Sequence, residues 1–143
     1  MDVLFSSEAL AEYVAIWKQM KKGEALSDEA EEVVEALKDH SEFDPFWEQG
    51  NAALHPQEVN GFVVNPLIHT RLHVLIERQL SEENPEEVKE AYDALLKKGL
   101  PRHEAIHRIA GVWGDLYFRS IRGGAMMDDY GYTEALKALV QYL

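Results

Sequence analysis

Four of the six histidines in this sequence fall into two pairs of one spacing, His69 with His73 and His103 with His107. Residues four apart on a helix share a face, with Cβ atoms about 6 Å apart, so each pair can grip one ion with two imidazoles. Six histidines scattered at random over a chain of this length would give roughly 0.2 such pairs. Turning each residue by about 100° puts His69 and His73 on the flank of an apolar stripe of Ile68, Leu72, Leu75 and Ile76. His103 and His107 flank the stripe of Ile106, Ile109, Ala110, Trp113 and Tyr117 in the same way. Helices at the usual spacing of about 8–10 Å would bring the four imidazoles together, giving a nitrogen-rich metal site inside a bundle.

Other residues extend or compete with this reading. Glu77 continues the row of His69 and His73 by one turn and is the candidate fifth ligand, and Asp115 is a weaker oxygen donor. For both acids the alternative is an ordinary surface ion pair. His103 stands in the first helical turn after Pro101, where the positive end of the dipole keeps an imidazole neutral, as a metal requires. Gly111 and Gly114 interrupt the same helix, leaving room either for an ion or for a closely packed helix. His40 and His55 lack a partner at helical spacing and read as surface histidines that could still swing in as extra ligands. His103-Glu104-Ala105-Ile106-His107 also spells the zinc-protease string. No strand is convincing nearby to hold an extended peptide, and Glu104 suits a helix's first turn without any catalytic role.

The elements that must carry these residues read as a single all-α domain over residues 1–143, a compact bundle of about six helices with one long irregular loop. The first helix covers 8–22, behind Ser7 and ahead of Gly23, with Leu10, Tyr13, Val14 and Trp17 facing the core. The second begins at Ser27 or Asp28 and buries Ala30, Val33, Val34 and Leu37. A short turn follows at Asp44-Pro45-Phe46-Trp47. From 50 to 64 the regular signals lapse and turn dipeptides take over, including Asn60-Gly61. Asn65-Pro66 opens the first histidine helix, to about Leu80. Asn84-Pro85 opens the next, to Gly99. Pro101 opens the longest, to Gly123-Gly124, and a last helix runs from Thr133 to Leu143.

Composition removes several classes of function. The chain has no cysteine, so any metal is held by nitrogen and oxygen. Its net charge of −12 repels phosphate backbones and argues against nucleic acid. No apolar stretch approaches the roughly 18 residues of a membrane span, and Met1-Asp2-Val3-Leu4-Phe5 lacks the basic start of a secretory signal, so the expected address is the cytoplasm. Phosphate-binding loops, nucleophile elbows and dinucleotide fingerprints are missing, so neither a nucleotide nor an organic cofactor is indicated and no reaction is named.

Asn65-Pro66-Leu67-Ile68-His69-Thr70-Arg71-Leu72-His73 through Gln79, followed by Pro101-Arg102-His103-Glu104-Ala105-Ile106-His107, resembles a small bacterial family known only as a domain of unknown function. The resemblance covers the C-terminal half firmly and the N-terminal helices loosely, and it implies a helical protein without an assigned activity. Two departures concern carboxylates: Arg78 and Gly111 stand where relatives often carry acids. Two functions are therefore expected to compete. One is a metal-binding helical module using His69, His73, His103 and His107 on zinc or iron, with hydrolysis open to it only if water takes a ligand position. The other is a metal-free acidic adaptor that meets a protein partner through the acids of 28–44 and through Trp17, Phe46, Trp47, Trp113 and Phe118.

Overall fold

Seven α-helices occur among the described residues of the computed structural model, which are 5–124 and 126–143. Met1 to Leu4, on which the expectation about a signal segment rests, lie outside the described residues, as does Ala125. The chain divides into two compact units, Met1–Val74 and Leu75–Leu143.

In the N-terminal unit, α1 spans Ser7–Lys22 and α2 spans Asp28–Asp39, and the two pack together. Side-chain caps set their starts: the Ser6 hydroxyl accepts the Ala9 N–H and the Ser27 hydroxyl accepts the Ala30 N–H, both at 3.2 Å. Gly23 ends α1 in the left-handed region at φ 71°, where a side chain would be strained. A 3-10 turn, Ser41–Phe43, leads from α2 into the short α3, Asp44–Trp47. There the Asp44 carboxylate accepts the Trp17 indole N–H at 3.0 Å and pairs with Lys21 at 2.8 Å, tying α3 to α1. Leu10, Tyr13, Trp17, Val33, Val34, Leu37, Phe43, Trp47 and Leu67 form the core of this unit.

The stretch 50–64 departs from the expected irregular loop. It holds a 3-10 turn, Ala52–Leu54, and a two-stranded antiparallel hairpin, β1 Gln57–Val59 with β2 Phe62–Val64. Asn60 at φ 52° and Gly61 at φ 85° make the tight left-handed turn that joins twisted strands. The dipeptide was legible as a turn. Strands of three residues are too short to show the period of two that marks a strand in sequence.

Helix α4 spans Pro66–Glu82. Asn65 caps it, accepting the Ile68 N–H at 3.0 Å through Oδ1 while its amide donates to the Leu54 carbonyl at 2.8 Å. The C-terminal unit holds the end of α4 with α5 Glu86–Lys97, α6 Arg102–Arg122 and α7 Asp129–Gln141. The last three pack on one another. Ile76, Val88, Leu95, Ile106, Ile109 and Leu136 are each at most 1% exposed, as the apolar stripes require. Helix α7 starts four residues before the expected Thr133, because Asp128 caps it by accepting the Gly131 N–H at 2.6 Å. No helix among the described residues is long and apolar enough to cross a membrane.

Candidate functional site

Two segments of the N-terminal unit bring three imidazoles together. Helix α4 supplies His69 and His73, one turn apart, with ring centroids 4.9 Å from each other. The third is His40, the residue on which α2 ends. Its backbone leaves the helical region at φ −125° and ψ 49°, and its ring turns back so that Nδ1 donates to the Ala36 carbonyl at 2.9 Å. That ring lies 4.6 Å from His69 and 4.4 Å from His73, centroid to centroid, and the His40 and His69 Nε2 atoms are 3.1 Å apart. Phe43 closes one side, stacked on His40 at 5.3 Å and edge-on to His69 at 5.5 Å. His40 and His73 are buried, at 2% and 3% exposure, and His69 is half-buried.

His40 corrects the expectation of a surface histidine. Helical spacing cannot find it, because its partners lie on another element 29 or more residues along the chain. The only signal in the sequence is its place just past the apolar residues of α2, where a ring can fold back onto the last turn of carbonyls. His55, by contrast, is exposed, as expected.

In the C-terminal unit, His103 and His107 stand one turn apart near the start of α6, centroids 4.3 Å apart and both half-buried. Pro101 sets this start and places His103 second in the helix. Glu104 between them is exposed in the first turn, where its charge complements the helix dipole.

The two carboxylates singled out from the sequence both have cationic partners. Both Glu77 oxygens accept from the Arg102 guanidinium, and Asp115 pairs with Arg119 one turn on. Both are exposed pairs of the kind named as the alternative. Gly111 is exposed, and a Cβ built there would meet nothing within 4 Å, so close packing does not explain it. Gln79 accepts the hydroxyl of buried Tyr132 at 2.7 Å, linking α4 to α7, and burial pushes that phenol's pKa well up from its ordinary value.

These features define a helical protein with histidines at the end of α2 and near the starts of α4 and α6. The chain belongs to the family described as domain of unknown function DUF1841, whose model matches residues 7–138. No curated protein and no solved structure matches it significantly.

Proposed function

We propose that this protein is a metal-binding helical module in which His40 and His73 of the N-terminal unit each give one ring nitrogen to a divalent ion. The observation that carries this reading is the gathering of His40, His69 and His73 by two separate segments of the N-terminal unit, with two of the three rings buried. Within the C-terminal unit, the His103 and His107 pair on α6 offers two ring nitrogens one turn apart. Glu77 stays outside the set, held by Arg102.

A donor set of imidazoles without thiolate or carboxylate suits zinc, which takes His nitrogen at about 2.0–2.1 Å. Iron sites of the oxygenase type need a carboxylate beside the imidazoles, and both Glu77 and Asp115 are engaged by arginines. The ion's proposed role is to hold α2 and α4 together at His40 and His73, and no hydrolytic step is assigned.

Elemental analysis of tag-free protein from zinc-supplemented medium tests this. The expected content is close to one equivalent, falling below about a tenth when His40→Ala and His73→Ala are combined. Wild-type protein with almost no metal would reject the proposal in favour of an acidic adaptor. The observation behind that second reading is the hairpin, where Phe62 and Val63 are 73% and 74% exposed.

A further inference from the structure

We infer that His69 is not a ligand of the proposed ion but its competitor, whose ring N–H occupies the lone pair on His40 that the metal needs. This rests on the metal-binding reading above and assigns the three N-terminal imidazoles different parts within it.

The assignment follows from which groups can donate. A carbonyl oxygen only accepts, so the 2.9 Å contact with Ala36 puts a proton on Nδ1 of His40. A neutral imidazole has a single N–H, so with the proton on Nδ1 the Nε2 of neutral His40 carries the lone pair that a metal would take. His69 presents its own Nε2 to that atom at 3.1 Å. Two lone pairs at this separation repel, so the His69 nitrogen bears the proton and donates. The result is a directed chain: His69 Nε2–H to His40 Nε2, then His40 Nδ1–H to the Ala36 carbonyl.

The two ends of this chain act oppositely on metal binding. The Ala36 carbonyl fixes the tautomer and direction of His40 and makes its Nε2 a better donor, the usual outer support of a ligating histidine. The His69 N–H blocks the same atom. An ion can reach His40 only after this hydrogen bond breaks and the His69 ring moves aside. His69 is the least buried residue of the three, half-buried where His40 and His73 are 2% and 3% exposed. His40 and His69 thus differ as anchor and gate, although helical spacing made His69 the obvious ligand.

The test measures zinc affinity of the full chain by chelator competition in wild type and three variants. His69→Phe removes the donor and should tighten binding about five- to tenfold, the worth of one neutral hydrogen bond. His69→Gln keeps an N–H donor and should stay within about twofold of wild type. His40→Ala should weaken binding more than about tenfold. A His69→Phe variant that binds at least tenfold more weakly would make His69 a ligand and overturn the inference. Nitrogen-15 spectra of the histidines in metal-free protein give an independent reading, with His40 expected as the Nδ1–H tautomer and His69 as Nε2–H. The reverse pattern overturns the gate whatever the zinc data show. Silence toward zinc in all four proteins, with the expected tautomers present, rejects the metal reading and the gate with it while leaving the hydrogen-bond chain intact.

Discussion

An imidazole can be donor, acceptor or metal ligand near neutral pH, so what each histidine does depends on its neighbours. Acids are simpler, and Glu77 shows it. With Arg102 on both its oxygens at the surface, Glu77→Gln should cost less than about 1 kcal/mol by denaturant unfolding and leave zinc content unchanged. Tyr132 makes a pH-dependent contribution. Burial raises its phenol pKa above the ordinary value of 10.0, so the fold favours the neutral form; that stability is whole below about pH 10 and is lost as pH rises further, because the unfolded chain ionises first. Tyr132→Phe should cost about 1 kcal/mol at neutral pH through the unpaired Gln79 oxygen, and the gap in melting temperature should narrow above pH 10. At this scale the sequence exposed pairs on one helix, because a spacing of four is visible in one dimension. It did not expose His40, whose relation to His69 is made by tertiary packing.

Helix ends do most of the positioning. Asn65 holds the first turn of α4 and the Leu54 carbonyl together, so Asn65→Ala should destabilise by about 1–2 kcal/mol and loosen the register of His69 and His73. The opposite sign is expected at Gly111, in the middle of α6 with open space where a Cβ would lie. Gly111→Ala should stabilise by about 0.5–1 kcal/mol, read as a higher thermal midpoint. Helix starts at Pro66 and after Pro101 were legible because proline and cap residues act locally. The start of α7 was not: the helix expected from Thr133 begins at Asp129, because the Asp128 cap that accepts the Gly131 N–H outweighs the glycine penalty. The hairpin escaped for the same reason of scale, its register being set by pairing between Gln57 and Val64 and between Val59 and Phe62.

For the molecule as a whole, charge and donor chemistry narrow the choice. A net charge of −12 draws cations toward the surface, and the lack of cysteine leaves imidazole as the strongest neutral donor for a divalent ion. An ion bound only by the folded chain stabilises it by mass action. Free zinc at a hundred times its dissociation constant should add about 2.7 kcal/mol, and the increment should vanish in His73→Ala.

The surroundings of the bound ion are the most direct record of the central claim. X-ray absorption at the zinc edge of the loaded protein should show about four nitrogen or oxygen neighbours near 2.0–2.1 Å, without sulfur, and the strong outer scattering of several imidazole rings. A shell of six oxygens with no imidazole scattering would mean that zinc sits on the acidic surface and that the histidines gather for another reason.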